Sequence, residues 1–393
     1  MRAPYTESEY ACSTIAFRAA NPSSDRPTVA MVDLDALARN YQEVVRRIAD
    51  RKVLAVVKAQ AYGHGAIPVS RRLVELGSHM LGVALVEEGR DLRAAGIMAP
   101  ILVMGPVFPE QAGAIVKGKL TPVVYTLANA RALSDAAAGA GSTLAVHVKI
   151  DTGMGRIGLS PEEAVDFIVT AGKLPGLVVE GLMTHFADAD LRDKAFASAQ
   201  MDRFESLIRL LEAKGIAIPL RHAANSAAVL EYGRALLNMV RPGLMLYGYN
   251  PLESGFSADL HPVLSLITRV AFLKKVPAGV PISYGRTFVT RRESLIATIP
   301  VGYADGYSRG LSNKGEAIVR GVRVPVAGRV CMDMTMLDVT GVPGVAQGDE
   351  VVLIGGSGNE RITADDIAAR TGTISYEVLC GISGRVPRIV HSS

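Results

Sequence analysis

The sequence predicts an α/β protein, an N-terminal (β/α)8 TIM-like barrel followed by a C-terminal β-rich domain. Three observations predict it. Eight short apolar runs recur between about residues 50 and 250, each ending in Gly or polar residues. Each run but the last is followed by an amphipathic or Ala-rich stretch, an alternation that calls for parallel pairing through right-handed crossovers. Beyond residue 262 the texture changes to strand-like alternation, Gly-rich turns and β-branched residues. Eight units in about 220 residues favour a closed barrel over an open sheet.

In chain order, residues 1–28 are polar and mixed, without the apolar stretch of a secretory signal, and read as an N-terminal extension. Asp33 is placed to cap a first helix whose apolar positions are Leu34, Leu37, Tyr41, Val44, Val45 and Ile48. The expected barrel strands are 53–59, 80–85, 101–104, 121–125, 143–150, 177–184, 218–222 and 239–247. Residues 196–214 form the clearest amphipathic helix between them. The β domain is expected to use 263–276, 294–301, 316–326, 335–340 and 350–354, with one helix at 363–371. The domains are therefore expected at 1–28 (extension), 29–262 (barrel) and 263–393 (β-rich).

Composition narrows the function. Hydrophobic residues at 49% and charged residues at 20% allow a sizeable core. The net charge of +4 is carried by scattered basic residues with no Lys/Arg block and no Trp, which speaks against nucleic acid as a partner. Three distant cysteines, Cys12, Cys331 and Cys380, make neither a disulfide framework nor a zinc site, so a reducing, cytoplasmic setting is expected. No run of 18 apolar residues predicts a membrane span.

Chemistry in a parallel barrel collects at the carboxyl ends of its strands. The polar residues there are Lys58 and Tyr62 after the first run and Lys149, Asp151 and Arg156 after the fifth. His185 follows the sixth, His222, Asn225 and Ser226 follow the seventh, and Arg241 lies within the eighth. Lys58 closes the apolar run Val53–Val57, where a desolvated amine would attack aldehydes; alternatively it is a strand-end lysine reaching solvent. Arg156 sits in a Gly-rich loop that departs from the dinucleotide pattern, and is either a clamp for a carboxylate or phenolate or a solvated arginine. His185 and His222 lack partners at metal-ligand spacing, and no metal is expected. Ser226 and Gly243 follow the last two strands, where barrels bind phosphate through backbone N–H groups. Taken singly, Ser283-Tyr284-Gly285, the island around Tyr303 and Cys331-Met332-Asp333 read as turns with edge packing.

Taken together, these segments resemble the alanine racemase family. The matching stretches are Val57-Lys58-Ala59-x-Ala61-Tyr62-Gly63-His64-Gly65, Lys149-x-Asp151-Thr152-Gly153-Met154-Gly155-Arg156-x-Gly158 and Thr184-His185-Phe186-Ala187. They continue through Ala224-Asn225-Ser226, Arg241-Pro242-Gly243, Ser283-Tyr284-Gly285, Gly302-Tyr303-Ala304-Asp305-Gly306 and Val330-Cys331-Met332-Asp333. They keep the family order from residue 30 to the C-terminus, and Gln60 stands where Asn is common.

The resemblance implies a barrel that binds pyridoxal 5'-phosphate (PLP) and works as a homodimer with shared active sites. Lys58 would hold the cofactor as a Schiff base and serve as one catalytic base; Tyr284, reaching the partner's site, would be the other. Tyr62, Ser226, Gly243, Leu244 and Tyr376 would hold the phosphate, Arg241 would face the ring nitrogen, and His185 would stack nearby. Arg156, Met332, Asp333 and Tyr303 would meet the substrate, Tyr303 and Tyr376 narrowing its access. Lys149 matches a position carbamylated in some members. The implied function is interconversion of L- and D-alanine, supplying D-alanine for peptidoglycan. Racemisation moves a proton from one face of the α-carbon to the other, which two opposed bases do without a swinging group. The alternatives are a broad-specificity or serine racemase, or another PLP-barrel enzyme such as a decarboxylase, whose ring-nitrogen partner is acidic. A non-catalytic PLP carrier would be a bare barrel.

Overall fold

The computed structural model describes residues 25–253, 255 and 258–392; most of the N-terminal extension lies outside the described residues. The chain divides into two compact units. One is built from Val32–Val263, the other from Leu264–Ile389 with the described residues up to Met31.

Strand β1 (Val29–Asp33) leads into the helix Leu34–Ile48. Asp33 caps that helix: its Oδ1 accepts the N–H groups of Asp35 and Ala36 at 2.8 and 2.9 Å. Leu37, Tyr41, Val44 and Ile48 are buried as expected, whereas Val45 is 42% exposed. One residue advances a helix by about 100°, so the neighbour of a central stripe position faces away from the core.

Eight barrel strands follow: β2 (Lys52–Val56), β3 (Met80–Val83), β4 (Ile101–Val103), β5 (Thr121–Val124), β6 (Leu144–Lys149), β7 (Leu177–Met183), β8 (Leu220–His222) and β9 (Met239–Val240). Seven fall within one of the eight apolar runs, and β2 begins one residue before its run, at Lys52. They lie in the order β8-β7-β6-β5-β4-β3-β2-β9, and the ladders are parallel. The β8–β9 seam is stitched by single bonds: Arg241 N–H donates to Ala224 O at 2.9 Å, and Arg221 N–H to Asn238 Oδ1 at 2.7 Å. β9 ends at Val240, so Arg241 stands just past its strand instead of within it. The helix Ala195–Ala213 buries Ala197, Met201, Phe204, Leu207, Ile208 and Leu211, the stripe its periodicity announced.

The second unit is β-rich. Leu264–Arg269, Glu316–Val319, Val322–Pro325 and Glu350–Ser357 share one sheet with Arg388–His391, while Phe272–Val276, Ser294–Ile299 and Thr335–Asp338 form another. The helix Ala364–Thr371 starts in a capping box, with Thr363 and Asp366 each satisfying the other's N–H. β1 lies in the first sheet between Leu264–Arg269 and Arg388–His391. Its partners are more than 230 positions away in sequence, so no local pattern announces it.

Candidate active site

The barrel unit gathers the strand-end residues around His185. Burial holds this imidazole's pKa well below the usual histidine value, and the positive charges of Arg241, Lys149, Arg156 and Lys58 press it lower still. The neighbouring carboxylate, Asp151, is engaged by the N–H groups of Gly153 and Gly155 at 2.9 and 3.0 Å. Arg241, Arg156 and Lys58, joined by Lys149 when it is protonated, surround a neutral histidine with positive charge and make a place for anionic groups.

Arg241 is the buried centre of the cluster. Its Nη1 donates to His222 Nδ1 at 3.0 Å, and its Nη2 donates to Thr184 O (2.8 Å), Ala223 O (3.0 Å) and His185 Nδ1 (3.2 Å). A guanidinium only donates, so Nδ1 of both histidines must accept and their protons sit on Nε2. His222 Nε2–H then donates to His147 Nδ1 at 2.8 Å, which places the His147 proton on Nε2, 3.6 Å from Glu180. Burial keeps His222 and His147 below their usual pKa, so both are neutral and the chain has one polarity. Gly181 makes room for it: a Cβ there would lie 2.4 Å from the His147 ring.

At the expected phosphate end, Ser226 Oγ accepts the N–H groups of Gly243 (2.9 Å) and Met245 (3.3 Å). A Cβ on Gly243 would lie 2.5 Å from the Tyr62 hydroxyl, so only glycine lets that hydroxyl and the backbone line one cradle. Tyr62 stacks on buried Tyr247 at 4.8 Å, and Tyr247 OH donates to Val56 O at 2.8 Å. Tyr62 itself belongs to a left-handed turn: Ala59, Gln60, Ala61 and Tyr62 have φ of 51°, 55°, 54° and 54°. Each such residue costs roughly 1–2 kcal/mol, and four in succession directly after Lys58 are a concentrated strain.

Lys149 lies buried at the end of β6, its Nζ donating to Ile150 O at 3.3 Å. Desolvation, aided by Arg241 and Arg156, pushes its pKa down from 10.5 to about 7. The unfolded chain therefore binds more protons between pH 7 and about 10, and stability rises with pH across that window. Lys149→Met should abolish this increment, checked by urea midpoints at pH 7 and 9.5 in CO2-free buffer. The Gly153–Gly158 excursion after β6 is a closed loop: Leu159 N–H returns to Lys149 O at 2.9 Å and Asp151 N–H to Leu159 O at 2.8 Å. It presents Arg156, exposed, and does not open a helix as a dinucleotide loop would.

The remaining expected residues lie on the β-rich unit. Tyr303 N–H donates to Cys331 O and Ala304 N–H to Met332 O, both at 3.0 Å, which joins the Tyr303 and Met332–Asp333 loops. Ser283, next to Tyr284, donates through Oγ to Arg329 O at 2.6 Å. Ser283 has φ 65° and ψ −177°, a region used almost only by glycine, at a cost of roughly 1–3 kcal/mol. Tyr284 is 71% exposed, Met332 is 53% exposed, and Asp333 pairs with Arg385 at 2.8 Å. Arg385 also reaches buried Asp305, 2.7 Å from Arg26. Tyr376 is half-buried on the helix Ser375–Cys380. Both expected bases thus adjoin strained backbone.

Sequence reasoning missed His147, Glu180, Thr184 and Tyr247. Gly181 inside β7 was the available signal, since a strand glycine often marks a close approach.

A parallel barrel with a strand-end lysine among cations defines an enzyme class that handles anionic groups by lysine chemistry. The alanine racemase N-terminal domain family matches residues 32–251, and the alanine racemase C-terminal domain family matches residues 263–390. An alanine racemase of Halothermothrix orenii is 50% identical over 370 residues, covering 94% of this chain and 98% of the relative. The solved alanine racemase of Clostridium difficile 630 is 39% identical with a TM-score of 0.90, covering 94% of this chain and 96% of its own. A Bacillus anthracis alanine racemase solved with bound L-Ala-P is 39% identical with a TM-score of 0.87, covering 93% and 95%. The chain belongs to the alanine racemase family.

Proposed function

We propose that this chain interconverts L- and D-alanine with Lys58 and Tyr284 as opposed bases, supplying D-alanine for peptidoglycan in the cytoplasm. Among the described residues no helix is long and apolar enough to cross a membrane. The observation that carries the reading is buried Arg241, a donor-only cation seated between two neutral histidines in a cluster of positive charge.

The residues present fit pyridoxal 5'-phosphate. Ser226, the Gly243–Leu244 backbone and Tyr62 would hold the phosphate in a cradle that a Cβ on Gly243 would fill, with Tyr376 on the same group. Arg241 would face the ring nitrogen and His185 the ring. When bound, the cofactor supplies an aldehyde carbon for amines and a conjugated ring that takes up an electron pair.

Lys58 would hold the cofactor and would take or return the α-proton on one face of the substrate. Tyr284 serves the other face in the partner's site, which suits its exposure on this chain. Arg156, with Met332 and Asp333 of the partner subunit, meets the substrate, while Tyr303 narrows access. Arg241 keeps its proton and offers a hydrogen bond only, which favours rapid return of the proton to carbon over side reactions. With its pKa held near 7, the Lys149 amine is in part unprotonated at neutral pH and competent to add CO2 with release of one N–H proton, and the resulting carbamate would lie by Arg156 and Arg241. A high-resolution map showing a bare amine would refute that last assignment.

A circular-dichroism time course with L-Ala, L-Ser, L-Lys and L-Arg tests the function. Optical activity should decay for L-Ala. Decay for L-Ser or the basic amino acids instead would favour a serine or broad-specificity racemase, and CO2 release with no D-amino acid formed would favour a decarboxylase.

A further inference from the structure

The left-handed turn after Lys58 needs a restraint from outside itself. Its internal bonds, Ala61 N–H to Val57 O and Gly63 N–H to Ala59 O at 2.9 Å, close the turn but do not choose its hand. Ala59 and Gln60 are exposed, and the adjoining groove of about 400 Å³ is lined by Val57, Gln60, Ile67 and Glu88. Packing on that side is therefore thin.

Tyr62 packs the far end of this stretch on Tyr247, and a carboxylate ties its first residue to the neighbouring strand. Glu88 Oε1 accepts Ala59 N–H at 2.6 Å, while its Oε2 accepts Ala84 N–H at 2.7 Å and Leu85 N–H at 3.1 Å. Ala59 follows Lys58; Ala84 and Leu85 follow β3 and precede the helix Val86–Ala94. A single carboxylate thus straps the end of β2 to the end of β3, with both oxygens committed.

We propose that Glu88 is a positioning residue for Lys58: its carboxylate holds the left-handed turn and so fixes where the lysine amine stands. The role rests on the racemase reading of Lys58. The chemistry calls for a carboxylate because three N–H donors converge from two loops. Glutamine offers one oxygen, and its –NH2 would turn toward a donor on the other side. The same Glu88 also caps the helix Val86–Ala94, so a test must separate strap from cap.

The test uses Glu88→Gln in the full chain saturated with pyridoxal 5'-phosphate. Hydrogen exchange in a peptide spanning 58–65 should rise about tenfold or more, while that in 86–94 stays within about threefold. The rate constant for alanine racemisation, kcat, should fall about tenfold or more with KM changed far less. Adding Ala59→Gly and Gln60→Gly should restore much of both, because glycine takes the left-handed conformation without strain. Unchanged exchange at 58–65, or no rescue by the glycines, overturns the proposal. A wild-type chain that fails to racemise alanine would overturn the function instead, and the exchange and rescue of exchange would still judge the strap.

Discussion

Mixed in equal amounts, Lys58→Ala and Tyr284→Phe subunits should recover about a quarter of wild-type racemisation, although each variant alone loses about 10²–10⁴-fold or more. The arithmetic follows from two-fold assembly. Random exchange makes half of the dimers mixed, and each mixed dimer has one site with both bases and one with neither. Two features motivate the test: Tyr284 is 71% exposed on this chain, and Ser283 beside it is held in a glycine-like conformation. Strain of that kind persists where surrounding structure aims a side chain for a purpose. Mixed dimers verified by native mass spectrometry yet inactive would place both bases in one subunit.

Arg241→Glu should lower racemisation about 10²–10³-fold or more and raise the share of turnovers ending in a keto acid. The present side chain donates to two carbonyls and two imidazoles. A carboxylate cannot donate to Thr184 O and Ala223 O, and it would draw the protons of His222 and His185 round to Nδ1. The histidine chain would then reverse its polarity as far as His147. A carboxylate facing the ring nitrogen shares a proton with it, where an arginine withholds one. Arg241→Lys, which keeps a donor, should retain the product partition. Pyruvate formation measured alongside racemisation reads the outcome, and an unchanged ratio in Arg241→Glu would refute the assignment of Arg241 to the ring.

Much of the fold was legible because it is written locally. A period of two or 3.6 in apolar residues, broken by glycine and capped by Asp33 or Thr363, is set by residues within a few positions of one another. β1 was illegible for the opposite reason, since its partners lie at the far end of the chain. Val45 shows the resolution limit of pattern reading: an apolar residue beside a stripe is not thereby part of it.

The candidate site divides in the same way. Lys58, Arg241 and Tyr284 could be picked out by residue type and by motif order. The state of the groups around them could not. Whether Lys149 is charged depends on burial and on two arginines from distant loops, and the tautomers of His147 and His222 depend on a guanidinium arriving from β9.

By itself, the sequence determined the barrel's eight strands, the β-rich partner domain and the kinds of side chain at the strand ends. These follow from local periodicity and from the chemistry each residue carries wherever it is placed. Only the tertiary structure decided which of those side chains share one electrostatic environment, which way the histidine protons point, and that Glu88 meets the backbone after Lys58. Hydrogen bonds and charge act over a few ångströms of space, and residues that close in a barrel are separated by tens to hundreds of positions in the chain.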